Sequence, residues 1–279
     1  MSIRIVTDSS SDLPPALAAQ WGIAVVALSV RFGEGEFVDS TSIPVERFWE
    51  QCSASPVLPE TTAPSPGQFE DTYRRLISEG ATGILVLSLS SSLSATMQSA
   101  ELAAKSMTTA SLPIVVVDSR TVSLGLGLIA VSCAEYARTG ASLNDVVAHA
   151  NGIIPRTRVF GALDTLENLK KGGRIGGAKA LMASVLSIKP IIEVRNGLVE
   201  EGGRQRTRAK ALSFLCETVK NSGDLESLAV LHAQCSDTDA FVASLREVFE
   251  GEIMIGDIGP VIGSHAGRGT IGVAFRVRA

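Results

Sequence analysis

Short apolar runs alternate with longer amphipathic stretches along this sequence, and few folds accommodate that alternation. The first four runs cover residues 3–6, 23–30, 84–87 and 114–117, and helical periodicity dominates between the later ones. Parallel strands need crossover connections long enough for a helix, so this order predicts an α/β fold. Runs this apolar predict strands that are buried on both faces of a mostly parallel sheet.

The length of 279 residues permits one large domain or two modest ones. A second α/β pattern begins after residues 151–155, a stretch that glycine and proline interrupt. This second pattern contains Asn196-Gly197, a dipeptide typical of a tight β-hairpin. We therefore predict one α/β domain over residues 1–154 and a second over residues 155–279.

Local signals place several helices. Asp12 is a good N-cap for a helix over residues 13–21, whose first turn contains two prolines. A helical stretch over residues 121–151 is interrupted at Gly140, which predicts two helices there. A further helix is predicted over residues 163–171.

The composition excludes several classes of protein. Hydrophobic residues make up 45% of the chain, more apolar material than a disordered protein contains. The net charge of −4 and the aromatic content of 5% argue against a nucleic-acid binder, which needs cationic and stacking surfaces. No apolar run approaches the ~18 residues of a membrane span, and no signal peptide precedes the first strand pattern. With four widely spaced cysteines that indicate neither disulfides nor zinc, these features predict a cytoplasmic protein.

The motifs of the common cofactor and hydrolase folds are missing from the sequence. It contains no P-loop, no G-x-G-x-x-G after a strand, no G-x-S-x-G and no metal-ligating cluster. We therefore predict no metal and no cofactor. Ser94, His265 and Asp8 could form a Ser-His-Asp arrangement on paper, although nothing in their spacing supports it. This leaves a stand-alone serine-dependent acyl hydrolase or transferase as an alternative function.

Hydroxyl-rich segments follow three of the predicted strands, at residues 7–12, 88–96 and 118–119. In open α/β sheets, ligands bind beyond the carboxyl ends of the strands and near helix N-termini. Helix capping explains each segment alone, but three of them at strand ends predict a pocket with a polar mouth. Thr61 and Thr62 stand in a loop that two prolines brace, and their hydroxyls suit a carboxylate or a phosphate.

Basic residues gather at two places in this otherwise acidic protein. Two lysines precede a glycine turn, as expected at a helix C-terminus, whereas Arg174 lies beyond that turn. Arg204, Arg206 and Arg208 form a second cluster at the start of a predicted helix. Cations there oppose the helix dipole, and this mismatch predicts an acidic partner or a phosphate.

His265 is the histidine that the sequence marks most strongly. It stands in the glycine-rich stretch 259–269, whereas the other two histidines lie in regular helix and strand patterns. Glycines allow the backbone to approach a ligand closely, so this stretch indicates a functional histidine.

Six segments, in this order, resemble the DegV family of bacterial α/β lipid-binding proteins. They extend from one end of the chain to the other, and jointly they are specific for the family. Three places differ from the family pattern, since Thr62-Ala63 stands where Ser-Gln is favoured, Ala95 where glycine is usual and Arg268 where proline is common. The matching segments are residues 7–14, 61–69, 90–96, 118–119, 166–175 and 259–272.

The resemblance implies a two-domain DegV-like fold with a long-chain fatty acid buried in a tunnel between the domains. Family members serve as the fatty-acid-binding subunit of a bacterial fatty acid kinase, in which a separate ATP-dependent protein phosphorylates the bound carboxylate. The acyl phosphate then enters phospholipid synthesis. The chain would be a binding subunit without a catalytic residue of its own. A lipid sensor or transport module that has no kinase partner is a further alternative.

The matching segments also imply which residues of this sequence form the site. The resemblance places the fatty-acid carboxylate beside Thr61, Thr62, Ser94 and His265. It places Ser91, Arg174 and Arg268 near the head group or at the kinase contact. The dipole mismatch adds the docking of an acidic partner, the kinase, at Arg204, Arg206 and Arg208.

Overall fold

The structure is a computed structural model that describes residues 2–183 and 188–279. Helices and strands alternate along most of the chain, as the sequence predicts. In the described ranges the strands form a four-stranded, a three-stranded and a six-stranded sheet. No helix in these ranges is long and apolar enough to cross a membrane.

A parallel sheet forms the centre of the N-terminal half. Its strands are β1 (Ile3–Asp8), β2 (Ala24–Val26), β6 (Gly83–Ser88) and β7 (Ile114–Asp118). They lie in the order β2-β1-β6-β7, and every pair is parallel. All residues of β6 are buried, which confirms the prediction of strands covered on both faces.

Five helices cover the two faces of this sheet. They are α1 (Pro15–Trp21), α3 (Pro66–Ser78), α4 (Thr96–Met107), α5 (Ser123–Arg138) and α6 (Leu143–Ile153). Neighbouring strand residues point to opposite faces, so Ile5 packs with α1, α5 and α6 while Val6 packs with α3 and α4. The predicted break at Gly140 is confirmed, since this glycine lies between α5 and α6 with φ +90°.

The prediction of one continuous strand over residues 23–30 is wrong, because the chain leaves one sheet and enters another within this stretch. Between the two resulting strands the Leu28 amide donates to Ser9 Oγ at 2.9 Å, and the backbone leaves the parallel sheet. A small antiparallel sheet follows, with β3 paired to both of its neighbours. Its elements, and the helix α2 between them, are β3 (Ser29–Arg31), β4 (Val38–Asp39), α2 (Val45–Ala54) and β5 (Glu60–Thr62). Thr61 and Thr62 therefore stand on a strand and not in a loop.

The C-terminal half is built on a mostly antiparallel sheet. Its strands are β8 (Thr157–Ala162), β9 (Lys189–Arg195), β10 (Leu198–Gln205), β11 (Leu225–His232), β12 (Ile253–Asp257) and β13 (Ile271–Val277). They lie in the order β10-β9-β8-β13-β11-β12, and the pair β11-β12 is parallel while the other four pairs are antiparallel. The predicted hairpin is confirmed, since Asn196 and Gly197 join β9 to β10 with φ +53° and +84°.

The described residues of this half form four α-helices, namely α7 (Glu167–Lys171), α8 (Arg208–Lys220), α9 (Thr238–Arg246) and α10 (Pro260–Ala266). Residues of α8 and α9 pack with Phe160 and Phe275 of the sheet. The helix predicted over residues 163–171 is shorter, because the Leu163 amide still bonds to Pro190 O at 2.9 Å and holds the chain extended.

Asp12 does not cap α1, which corrects the prediction from the sequence. The N-cap position belongs to Pro14, and no side chain in the described part of the protein caps this helix. Asp12 instead has φ +50°, and its carboxylate accepts hydrogen bonds from Ser123 Oγ at 2.5 Å and Gly259 N at 3.0 Å. The helix begins too far along the chain for Asp12 to reach its first free amides, so tertiary partners take the carboxylate.

An apolar cluster joins the two halves. Phe48, Trp49 and Leu124 of the N-terminal half pack with Val159 and Val194 of the C-terminal half. The domain boundary predicted between residues 154 and 155 falls in a 3-10 turn at Ile154–Arg156, between α6 and β8. The division into two domains at that point stays a prediction.

Candidate ligand-binding site

A cavity of about 290 Å³ lies between the two halves of the protein. The N-terminal half contributes β5, the segment between β6 and α4, and Val122, while the C-terminal half contributes β9, α7 and α10. The volume is close to the lower end of the range of about 300–1,000 Å³ that is usual for small-molecule sites. Five lining residues have polar side chains, and we call them the polar cluster: Thr61, Thr62, Ser94, Arg174 and His265.

Thr61 and His265 come from different halves and meet at the cavity. Thr61 Oγ1 lies 3.0 Å from His265 Nε2. Strand pairing with Val30 positions Thr61 on β5, and His265 stands in the last turn of α10. This bond therefore joins the small antiparallel sheet to the C-terminal half.

His265 is uncharged near neutral pH. Burial lowers the pKa of its imidazole to about 4, and the positive charge of Arg174 lowers it further. A neutral imidazole has one nitrogen that donates and one that accepts, so the ring can pair with a hydroxyl or with an anion. Its Nδ1 is buried, has no hydrogen-bond partner among the described residues, and lies against Gly172, where a Cβ would stand 2.3 Å away. Gly172, whose position in the sequence predicts a helix-ending turn, thus also provides the space for this ring.

Ser94 lies in the segment between β6 and α4. Its Oγ is 2.9 Å from Thr96 Oγ1 and 3.3 Å from the Thr96 amide. Thr96 is buried and begins α4, so these bonds fix the serine beside the first turn of the helix. A hydroxyl has one donor and two acceptor positions, and Ser94 therefore retains capacity to bind a ligand.

Arg174 ties the two halves together at the edge of the cavity. Its Nε donates to Leu93 O at 3.0 Å, and its Nη1 donates to Gly172 O at 2.8 Å. Arg174 also lines two surface clefts of about 670 Å³ each, one shared with Ser94 and the other with Thr61 and His265. The polar cluster is therefore reachable from both clefts.

The rest of the cavity lining is almost entirely aliphatic, and we call it the apolar wall. Leu89 and Val122 contribute from the N-terminal half, and Ile192 and Val194 from the C-terminal half. Val122 and Ile192 keep partial exposure although they are aliphatic and lie at the junction of the halves. A wall of this kind forms no hydrogen bonds, so it suits a hydrocarbon chain whose polar group lies at the polar cluster.

Comparison with known proteins decides the family. The sequence profile of the DegV family, which is described as uncharacterised proteins, matches residues 2–278. The chain belongs to the DegV family. A DegV domain-containing protein of Deinococcus radiodurans is 37% identical over 99% of this chain and 98% of its own length.

Two solved structures of DegV proteins are similar to this DegV chain over the whole length of both chains. One is described as fatty acid binding of a DegV family protein from Thermus thermophilus, with 33% identity and a TM-score of 0.89. The other is described as DegV, a fatty acid binding protein from Bacillus subtilis, with 27% identity and a TM-score of 0.88. The predicted family and fold class are thereby confirmed.

The remaining head-group residues of this DegV chain lie at different distances from the cavity. Thr62 is exposed at the end of β5 and lines the cavity. Ser91 lines the neighbouring cleft, and its Oγ donates to Asp118 Oδ2 at 2.5 Å. Arg268 is directed toward α2, where its Nη1 donates to Ser53 Oγ at 3.2 Å, and within the described ranges it is not among the cavity-lining residues.

The three arginines predicted to dock a partner differ in their surroundings. Arg204 is exposed and pairs with Glu201 at 3.4 Å, and Arg206 is exposed. Arg208 is half-buried, pairs with Asp237 at 2.9 Å and donates to Gly269 O. Asp237 therefore offsets the unfavourable position of Arg208 at the start of α8, and the dipole mismatch no longer indicates a partner at this residue.

Ser94, His265 and Asp8 do not form a catalytic triad in this DegV protein. Asp8 is buried, accepts hydrogen bonds from the amides of Ser10 and Leu89, and has a pKa that burial raises to about 6. His265 pairs with Thr61, and Ser94 pairs with Thr96. Among the described residues, no hydrogen bond joins any two of the three. The geometry gives the hydrolase alternative no support.

Proposed function

We propose that this DegV protein binds a long-chain fatty acid in the cavity, with the carboxylate at the polar cluster and the acyl chain along the apolar wall. The observation that carries this proposal is the separation of the lining into one polar cluster and an aliphatic remainder. The descriptions of the Thermus thermophilus and Bacillus subtilis structures as fatty-acid-binding support the same ligand class.

The head group would be recognised by hydroxyl and imidazole donors beside one cation. Thr61 and Ser94 offer hydroxyls, and neutral His265 offers a ring nitrogen. The Arg174 guanidinium lies at the edge of the cavity, and a carboxylate there would form charge-assisted hydrogen bonds or a close ion pair. No metal or cofactor is needed for this recognition.

The acyl chain would supply most of the affinity. Burial of about 14 methylene groups at ~0.8 kcal/mol each contributes roughly 11 kcal/mol as an upper figure. Ordering of the chain and desolvation of the carboxylate reduce this sum. Tight binding remains the expected result, and we expect the protein to be purified with a fatty acid.

We further propose that the bound carboxylate is presented to a separate ATP-dependent kinase, which forms an acyl phosphate for phospholipid synthesis. The two clefts beside the polar cluster offer a partner access to the carboxylate. The sequence contains no P-loop, so ATP and its metal would be bound by the partner. Arg204 and Arg206 are exposed cations that suit an acidic docking surface on that partner, with Arg208 holding the adjoining helix start.

Native mass spectrometry of freshly purified protein, repeated after denaturation, tests the binding proposal. We expect a mass excess that matches a fatty acid and is lost on denaturation. A bare mass, together with no binding of added oleate or palmitate, would contradict the proposal.

The kinase step needs its own experiment. The protein loaded with oleate is incubated with ATP, magnesium and the ATP-dependent subunit of a bacterial fatty acid kinase, and acyl phosphate is trapped with hydroxylamine. We expect acyl hydroxamate only when both proteins are present. Unmodified oleate in the complete mixture would favour a lipid sensor or transport module without a kinase partner.

A further inference from the structure

The carboxylate of Asp12 connects the two halves at a point away from the cavity lining. Asp12 Oδ2 accepts from Ser123 Oγ at 2.5 Å, and Ser123 is a fully buried residue at the start of α5. Asp12 Oδ1 accepts from the amide of Gly259 at 3.0 Å. One carboxylate therefore holds a helix of each half.

The second of these contacts stands directly before a helix that lines the cavity. Gly259 is the N-cap of α10, and that helix has only seven residues. Val261, Ile262 and His265 of α10 all line the cavity. A short helix moves as a rigid body, so the position of Gly259 determines where His265 lies relative to Thr61 on the other half.

The junction is closely fitted around the carboxylate. A Cβ on Gly259 would stand 2.8 Å from Asp12 Oδ1, so only glycine permits this approach. Asp12 and Ser123 have φ +50° and +52°, a left-handed conformation that non-glycine residues rarely adopt. Sparsely populated backbone conformations persist where the surrounding structure over-determines them, and here both belong to the same hydrogen-bonded pair.

We infer that Asp12 is a positioning residue that fixes α10 against the N-terminal half, holds His265 beside Thr61 and thereby sets how long the ligand stays bound. The inference about ligand residence rests on the proposed fatty-acid binding. The inference about the placement of His265 rests on the geometry of the junction alone.

Asp12 positions α10 through its hydrogen bonds and not through its charge. Burial disfavours the negative charge of Asp12, and the nearby carboxylates of Asp8 and Asp257 add to this effect. His232 Nδ1 stands 3.6 Å from Asp257 Oδ1. A protonated Asp12 keeps both bonds, because Oδ2–H donates to the Ser123 hydroxyl while Oδ1 still accepts from Gly259. An asparagine keeps them in the same way, with its amide nitrogen donating to Ser123 and its oxygen accepting.

The test compares Asp12→Ala, Asp12→Asn and a control, Ser142→Ala. Ser142 caps α6 through the Asp145 amide, so the control removes a side-chain hydrogen bond away from α10. Dissociation of a fluorescent fatty acid into excess albumin is followed by stopped flow. We expect Asp12→Ala to release it about tenfold faster, because the hydrogen bonds to both Ser123 and Gly259 are lost, and Asp12→Asn to stay within about twofold of the parent protein.

The imidazole of His265 gives a second readout that needs no ligand. The chain has three histidines, so proton NMR resolves each ring, and His265→Gln assigns the signal. We expect the pKa of His265 to rise toward its ordinary value in Asp12→Ala and to stay low in Asp12→Asn and Ser142→Ala. An unchanged pKa of His265 in folded Asp12→Ala would overturn the positioning role, whether or not a fatty acid binds.

The remaining outcomes also test the positioning role of Asp12. Faster release in Ser142→Ala equal to that in Asp12→Ala would overturn the inference, since general loosening would then explain both. If Asp12→Ala does not fold, Gly259→Ala perturbs the same contact from the other half, and we expect the same rise in release rate and in the pKa of His265. Failure of the parent protein to bind any fatty acid would contradict the proposed function and leave the NMR result to judge Asp12.

Discussion

The polar cluster and the apolar wall line one cavity, but they are built differently. Members of the polar cluster are tied by hydrogen bonds that cross between the halves, such as Thr61 to His265 and Arg174 to Leu93 O. The apolar wall is assembled from side chains of both halves, such as Val122 and Val194, which pack in one apolar cluster and form no side-chain hydrogen bonds. Directional bonds fix where a head group lies, whereas burial rewards the length of the chain. For the proposed fatty-acid ligand, orientation and affinity are therefore expected to be separable.

The largest loss of binding is expected from a charge in the apolar wall. Ile192→Asp places a carboxylate against the acyl chain without a partner, and we expect fatty-acid affinity to fall on the order of 100-fold or more. Ile192 is partly exposed on β9, so the variant is expected to fold. Isothermal titration with oleate measures the loss.

Ile192→Met is the matched control, because it keeps an apolar side chain of similar volume at the same place. We expect its affinity for oleate to stay close to that of the parent protein. Equal affinity of the aspartate variant and the parent would show that the acyl chain does not pass Ile192.

A smaller loss is expected when the polar cluster loses a hydroxyl. Thr61→Val keeps the shape and removes the group that pairs with His265, and we expect a cost of roughly 1–3 kcal/mol in oleate binding. Thr61→Ser retains the hydroxyl and is expected to bind nearly as well as the parent. If valine binds oleate as tightly as serine does, Thr61 has no part in holding the carboxylate.

Asp12 and His265 should make the free energy of unfolding change with pH in opposite directions. Burial raises the pKa of Asp12 to about 7, so its contribution to stability is present at low pH and is lost as the pH rises toward 7. Burial lowers the pKa of His265 to about 4, so its contribution is present above pH 6.5 and is lost as the pH falls toward 4. Between pH 5 and 6 the two effects oppose each other in the parent protein.

Asp12→Asn removes one of these opposing effects. We expect the free energy of unfolding of the variant to rise with pH between 5 and 6 by about 1 kcal/mol per pH unit more than that of the parent. Urea unfolding followed by tryptophan fluorescence at pH 5.0, 5.5 and 6.0 measures both slopes. Parallel slopes would mean that Asp12 titrates as it does in the unfolded chain.

Sequence periodicity predicted the parts of the fold that local signals encode. The parallel strands, the break at Gly140 and the hairpin at Asn196-Gly197 follow from apolar runs and turn residues within a few positions. The strand that carries Thr61 was missed, because three residues paired to a distant strand leave no periodicity of their own.

The site itself depends on contacts between distant segments, which no local pattern reveals. Thr61 and His265 are 204 positions apart, and Asp12 and Gly259 are 247 apart. The family resemblance predicted Thr61, Ser94 and His265 at one site, and in the structure all three line one cavity. The same resemblance placed Arg268 near the head group or at the kinase contact. Its side chain bonds to Ser53, and its role stays a prediction. The contact of Gly172 with the His265 ring could not be predicted, because the sequence shows only a glycine beside a helix end.

The smallest effect on lipid binding is expected at the exposed arginines. A variant that loses kinase coupling but keeps oleate affinity would show that docking does not depend on the polar cluster or the apolar wall. Arg204→Glu combined with Arg206→Glu reverses two exposed charges, and neither arginine is among the described residues that line the cavity, so oleate affinity should stay within about twofold. Acyl phosphate formation with the kinase subunit should fall severalfold, and more at low ionic strength, because screening weakens long-range attraction. Lys220→Glu, at the far end of α8, controls for charge reversal on an exposed surface. Loss of oleate affinity in the double variant, or equal loss of coupling in the control, would show that these arginines do not dock the partner.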